Sequence, residues 1–168
     1  SGDRKDASPL VGCAGCFVSL GIRPQSMNTA AELIRQAVAS DVAGMHRVRM
    51  SVLENRLVSR QLSEQDYLVE IETTGRGWVI ESAGNIVAFA VGNAATGGIW
   101  ALFVEPGHEG KGYGRQLHDT MVGWLMQQGH DRLWLTTSPE TRAARFYEKA
   151  GWRRVDVTAD GELRYELP

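Results

Sequence analysis

Cysteine is almost missing from this chain: Cys13 and Cys16 are the only two in 168 residues. That scarcity excludes a disulfide scaffold, whose small domains are dense in cysteine. The C-x-x-C spacing raises a redox or zinc reading, and neither has the surroundings it needs. A redox pair opens a helix after a strand, and Gly12-Cys-Ala-Gly-Cys-Phe17 offers no such frame. Zinc needs two further ligands, and the four histidines, His46, His108, His118 and His130, are scattered without paired spacing. No metal is therefore expected. No apolar run reaches bilayer length, so no membrane partner is expected either. Positive charge is not in excess: Lys plus Arg number 18 against 20 Asp plus Glu, a formal −2, and no basic stripe carries interleaved aromatics. Nucleic acid is excluded as a partner on that ground. Repeats and low-complexity tracts are absent too.

What is present is ordinary globular composition, 43% hydrophobic and 23% charged, in a length that suits one domain and is short for two. The pattern places a single domain at residues 27–168, with residues 1–26 as an N-terminal extension or cleavage remnant outside the fold core. Ser1-Gly2 resembles a cleavage scar, and Met27 stands just ahead of the first patterned segment. Without its first 26 residues the chain has no cysteine, which fits a reducing cytoplasm.

Along that domain, Glu32–Val38 reads as a strand, and Ser40 or Asp41 caps a helix running to about Leu57. Ser63 and Asp66 form a variant capping box for a second helix, Glu64–Glu72, which Gly75-Arg-Gly77 should break. Trp78–Ser82 and Ile86–Val91 flank a turn at Gly84-Asn85. Strands follow at Ile99–Val104 and Arg132–Thr137, around a helix from Gly112 to near Gly129. A helix at Thr141–Lys149, stopped by Gly151, precedes a hairpin of Trp152–Val157 and Glu162–Leu167 about Asp160-Gly161. The fold class is α/β, with a central mixed, mostly antiparallel sheet of six to seven strands and helices on both faces.

The densest local signal is Val104-Glu-Pro-Gly-His-Glu-Gly-Lys-Gly-Tyr-Gly-Arg-Gln-Leu117. Lying between a strand and a helix, such a turn leaves backbone N–H groups unpaired, unshielded by side chains and at the positive end of a helix dipole. That is a seat for a phosphate or diphosphate. A dinucleotide fold wants G-x-G-x-x-G, which would put its last glycine at Arg115, and Asp131 precedes a strand rather than ending one. A P-loop would need glycine at Glu105 and a hydroxyl at Gly112. Both nucleotide readings fail on spacing.

Val104-x-Pro106 followed by Glu109-Gly-Lys-Gly112-Tyr-Gly114 resembles the acyl-coenzyme A loop of the GNAT acyltransferase superfamily, whose pattern is Arg or Gln, two residues, Gly, one residue, then Gly or Ala. Ala143-Ala-Arg-Phe-Tyr147-Glu-Lys-Ala-Gly151-Trp152 resembles the family's helix ending in Phe-Tyr, three residues, Gly and an aromatic. The resemblance spans about Glu32 to Pro168, with two departures: Glu109 replaces Arg or Gln, and Glu140 stands where many relatives carry Asn. It implies an N-acetyltransferase that moves an acetyl group from acetyl-coenzyme A to a primary amine of a small molecule or protein. The alternative is a catalytically silent acyl-coenzyme A binder. The implied coenzyme contacts are the main chain of Phe103 and Val104 with pantetheine, and Glu109, Gly110, Lys111, Gly112, Tyr113, Gly114 and Arg115 about the diphosphate. A homodimer is common among relatives and stays open.

Tyr147 is the candidate acid: a phenol with a pKa near 10 stays protonated at neutral pH, and the family's matching tyrosine faces the coenzyme sulfur. No general base stands out, because the strand Gly97-Gly-Ile-Trp-Ala-Leu-Phe103 holds no acid and nothing selects among Glu81, Asp66, Glu70 and Glu105. For the acceptor, His46, Arg47, Arg49, Arg56 and Arg60 would suit an acid-bearing amine, and Glu64, Asp66, Glu70 and Glu72 a polyamine or aminoglycoside.

Overall fold

In a computed structural model of the chain, residues 32–52 and 62–168 are described. The chain divides into two compact units, Ser1–Leu33 and Ile34–Pro168, and every helix named below belongs to the second. The Cys13/Cys16 pair and the expected boundary between residues 26 and 27 lie outside the described residues.

Seven strands form one sheet in the order β1-β2-β3-β4-β5-β7-β6. They are β1 (Glu32–Gln36), β2 (Gly75–Ser82), β3 (Asn85–Asn93), β4 (Gly98–Val104), β5 (Leu133–Thr137), β6 (Arg153–Val157) and β7 (Leu163–Leu167). The β2–β3, β3–β4, β5–β7 and β6–β7 pairs are antiparallel and β4–β5 is parallel, giving the mixed sheet the pattern implied. β3 lies between β2 and β4 and is buried from Ile86 to Gly92, which is why its apolar run is unbroken rather than alternating.

Alternation along the strands sends side chains to two cores. Ile80, Ala88 and Ala90 pack with α3 (Tyr113–Gln127) and α4 (Arg142–Lys149). Val79, Phe89 and Val91 pack with α1 (Val42–Ser51) and α2 (Glu64–Leu68). The core face of α3 is set by Tyr113, Leu117, Met121 and Leu125, each four residues apart. Thr141 caps α4, its hydroxyl accepting the Ala144 N–H at 3.1 Å.

Departures from the sequence expectation are local. α1 stops at Ser51 rather than continuing toward Leu57: Val52 is already extended, and the Ser51 hydroxyl donates to the Val48 carbonyl. Leu53 to Gln61 lie outside the described residues. The Ser63/Asp66 capping box forms, but α2 then widens into a π turn, Val69–Thr73, closed by the Thr74 N–H on the Val69 carbonyl. The helical stretch ends before Gly75-Arg-Gly77 as expected, and these residues open β2, where a Cβ on Gly75 would sit 1.9 Å from the Gly92 carbonyl oxygen. The β2–β3 turn is Ala83-Gly84, one residue earlier than expected, with φ of 53° and 84°. Two-residue hairpin loops of type I′ demand positive φ at both positions, and here alanine accepts it.

Candidate active site

The site begins with a fault in β4. Val91 faces Ala101 and Gly92 faces Ile99, so Trp100 is an extra residue without a cross-strand partner. This bulge breaks alternation: Trp100 and Ala101 both join the α1/α2 side, Leu102 and Val104 the α3/α4 side, and Phe103 the α1/α2 side again. On its other edge β4 pairs with β5 only at Gly98–Trp134. From Trp100 to Val104 that edge carries no ladder, and Leu102, Phe103 and Val104 are only half-buried. An unladdered strand edge offers main-chain donors and acceptors to a ligand. Phe103 and Val104, expected to pair with pantetheine, lie on this stretch.

The glycine loop closes one end of the opening. Gly110 and Gly112 have φ of 78° and 87°, a region that side-chain-bearing residues rarely enter, and a Cβ on either would meet nothing within 4 Å. Gly112 is the N-cap of α3, and no side chain caps the helix. The first N–H to find an acceptor within the helix is that of Gln116, on the Gly112 carbonyl at 3.0 Å. The start of α3 is thus an open cradle of backbone donors at a positive dipole end. Gly114 differs: its backbone is not left-handed, and a Cβ there would make ordinary contacts of 3.5 Å to Phe146 and 3.7 Å to Val104. Those two neighbours show that the loop, the end of β4 and α4 converge. The arrangement fits an acyl-coenzyme A, with a diphosphate seat at the loop and an extended edge beside it.

Around the cradle, Lys111 is exposed and makes no ion pair among the described residues. Arg115 is held by Asp119 at 3.1 Å, one turn on. Tyr113 is buried, its ring stacked at 6.4 Å from that of His108. Glu109, the family departure, does not aim a bare charge at the cradle. Its carboxylate accepts the Gly107 N–H at 2.9 Å and pairs with Arg142 at 2.7 Å, and these contacts, the amide first, hold its pKa below the usual range. The loop is thereby tied to the first residue of α4.

Tyr147 lies on α4, buried, with its ring 5.4 Å from Phe146, 5.5 Å from Trp152 and 6.4 Å from His118. Its hydroxyl makes no hydrogen bond among the described residues, and burial raises its pKa further. Sequence reasoning missed what braces it. His118 Nε2 accepts the Trp152 indole N–H at 2.9 Å, so Nδ1 carries the proton and donates to Asp119 at 2.9 Å. The signal was present, since His118 follows Leu117 on a core-facing helix, but its partner Trp152 is 34 residues away.

None of the four carboxylates weighed as a base is free. Glu81 pairs with Arg35, Asp66 closes the α2 capping box, Glu70 accepts from Thr74 and Asn93, and Glu105 pairs with Arg47. Nothing in these contacts singles one of them out as a general base. No cluster of three or more metal-ligating side chains forms among the described residues, and none of their helices is long and apolar enough to cross a membrane.

On the α1 side, the basic run divides. Arg47 turns out to Glu105 and the Ile86 carbonyl, and His46 Nδ1 sits 2.8 Å from the Tyr67 hydroxyl. Arg49 turns inward and is 9% exposed. Its guanidinium carbon lies 4.7 Å from the Trp100 ring centre, 4.9 Å from Phe103 and 5.8 Å from Tyr67. Nη2 reaches the Trp100 carbonyl at 3.5 Å, while Nε and Nη1 have no hydrogen-bond partner. Position 49 follows Met45 by four and Val48 by one, so the helix's buried stripe could have revealed it. Arg56 and Arg60 lie outside the described residues, and Trp78 is core, packed 5.6 Å from Trp124.

The comparisons agree with this geometry. YncA of Salmonella typhimurium, solved with acetyl-coenzyme A, superposes at a TM-score of 0.68 with 19% identity, covering 82% of this chain and 93% of that one. The PaiA N-acetyltransferase of Thermoplasma acidophilum, solved with coenzyme A, superposes at 0.71 with 14% identity over 81% of this chain and 98% of that one. At these identities the likeness is one of fold. A mycothiol acetyltransferase of Beutenbergia cavernae is 38% identical over 97 residues, 54% of this chain and 31% of the relative, so the chain spans under a third of that protein's length. The model of the acetyltransferase (GNAT) family matches residues 45–152, from the buried side of α1 through the glycine loop to Trp152, and the chain belongs to that family.

Proposed function

We propose that the protein is an acetyl-coenzyme A-dependent N-acetyltransferase that transfers acetyl directly to a primary amine. The carrying observation is the uncapped cradle at Gly110–Gly114, adjoining the unladdered edge of β4, with Val104 and Phe146 of α4 both against Gly114. Backbone N–H groups of Gly110 to Arg115 hold the diphosphate, Lys111 adds positive charge, and the main chain of Phe103 and Val104 aligns the pantetheine arm. When bound, acetyl-coenzyme A supplies an activated acetyl thioester, and the relative's name and the coenzyme-bound structures of shared fold support that choice.

Tyr147 holds its proton at the hydroxyl. With a phenol at or above about 10 and a thiol near 8.5, full proton transfer to a leaving thiolate is uphill by at least about 2 kcal/mol. Tyr147 therefore acts as a hydrogen-bond donor that stabilises negative charge on sulfur, and solvent completes the proton balance. With the candidate carboxylates engaged, a lysine-like amine must be neutralised by water at a cost of about 4 to 5 kcal/mol at pH 7. The rate should then climb with pH until the amine is neutral.

The test is coenzyme-dependent thiol release over an amine panel, run beside thermal shift with acetyl-coenzyme A. Turnover with stabilisation supports the proposal. Stabilisation without turnover on any amine would favour a silent acyl-coenzyme A binder, for which the engagement of Glu81, Asp66, Glu70 and Glu105 is the supporting observation.

A further inference from the structure

We infer that Arg49 is the seat of an anionic group on the acceptor, and that the acceptor is a small primary amine that also carries a carboxylate. This rests on the acetyl-transfer reading above and narrows it. A guanidinium is taken from water only where something answers its charge. Among the described residues Arg49 forms no ion pair; the Tyr67 hydroxyl lies close enough to interact with it, but Nε and Nη1 have no hydrogen-bond partner and Nη2 makes a contact at the limit of hydrogen bonding. Three aromatic rings surround it, and ring faces compensate a cation without satisfying its N–H donors. The planar fork is thus held in place with donors on Nε and Nη1 left over, and a carboxylate is the group that answers a guanidinium with parallel hydrogen bonds.

Position decides which anion. Arg49 packs with the α1/α2 core, whereas the cradle belongs to the α3/α4 side, so the diphosphate is not the group it awaits. The rings over it come from Trp100 and Phe103, half-buried residues of the same strand stretch whose edge is left open toward β5. A carboxylate on Arg49 would hold its bearer against the side chains of the strand that forms this edge. A compact amino acid would carry its amine toward the edge from there. A protein lysine, with no carboxylate near its amine, leaves the guanidinium unanswered.

The experiment compares α-amino acids with their α-carboxamides as acceptors, in the wild type and in Arg49→Met and Arg49→Lys. A charge-assisted pair predicts roughly a tenfold or greater preference in kcat/KM for acid over amide. That preference should vanish in Arg49→Met and survive in part in Arg49→Lys, with coenzyme affinity by calorimetry unchanged. Equal use of acid and amide by the wild type, or an undiminished preference in Arg49→Met, overturns the inference. Calorimetric titration of the same amino acids into coenzyme-loaded protein supplies a readout free of turnover. Saturable binding lost in Arg49→Met supports the seat even if no acceptor reacts, and absence of binding refutes it. Failure of coenzyme A itself to bind refutes the acyl-transfer reading instead, and the amino-acid titration of the unloaded protein then decides Arg49 by the same two outcomes.

Discussion

Gly112→Ala tests the cradle with the fewest confounding effects. The backbone there is left-handed at φ 87°, and a Cβ would touch nothing within 4 Å, so the variant introduces no clash inside the protein. Holding alanine in that region costs roughly 1–2 kcal/mol. If the free loop relaxes to escape the strain, binding must restore it, and coenzyme affinity falls by about 5- to 30-fold. If the loop stays put, folding stability falls by the same amount, and the methyl still intrudes on the space in front of the amides. Gly114→Ala is the matched control: its backbone is helical, its contacts of 3.5 and 3.7 Å are ordinary, and replacing glycine in a helix gains about 0.5–1 kcal/mol. Calorimetry with coenzyme A and urea denaturation give both quantities for both variants. Wild-type affinity together with wild-type stability in Gly112→Ala would refute the reasoning, as would a larger affinity loss in Gly114→Ala.

Tyr147→Phe should lower turnover at least tenfold with coenzyme affinity near normal and no loss of melting temperature, because the hydroxyl has no partner within the described residues. Unchanged turnover would leave Tyr147 as packing. Burial depresses the His118 pKa against the opposing pull of Asp119, so below the unfolded value of about 6.5 the unfolded chain binds a proton that the folded one resists. Stability should fall as pH drops through that point, by at most about 1.4 kcal/mol per pH unit for this proton, and His118→Gln should flatten the dependence in urea titrations at pH 7.5 and about pH 5.5. Arg142→Ala exposes the Glu109 charge to the cradle and should weaken coenzyme binding several-fold, most at low salt, while Glu109→Gln in the same background restores it. The stability cost of that exposed pair should stay below about 1 kcal/mol.

What the sequence made legible was whatever rests on local chemistry. The capping box at Ser63 and Asp66, the stop at Gly151 and the glycine loop are encoded within a few residues, and each appears where the pattern put it. The hairpin turn slipped by one residue because Ala83 tolerates a left-handed conformation that propensity assigns to glycine or asparagine. The unladdered edge of β4 was not legible, since it depends on where β5 stops pairing, 36 residues downstream of Gly98. The inward turn of Arg49 was legible in part, four residues after Met45 on the buried stripe of α1. The rings that enclose it, from Tyr67 and two residues of β4, are contacts that no spacing along α1 announces.

The single unpaired residue at Trp100 links both halves of the site. Without the bulge, Trp100 and Phe103 would face opposite sides of β4, because strand side chains alternate with period two. Only one of them could then stack on Arg49, and its burial would lose one of the rings that compensate the charge. The same inserted residue disturbs the β4 backbone one position beyond Ile99, next to where pairing with β5 ends. One irregularity therefore accompanies the opening of the coenzyme edge on one side and the aromatic enclosure of a cation on the other. A strand with perfect register would have set only one of those rings against Arg49, so the departure from regular structure is part of the site rather than noise around it.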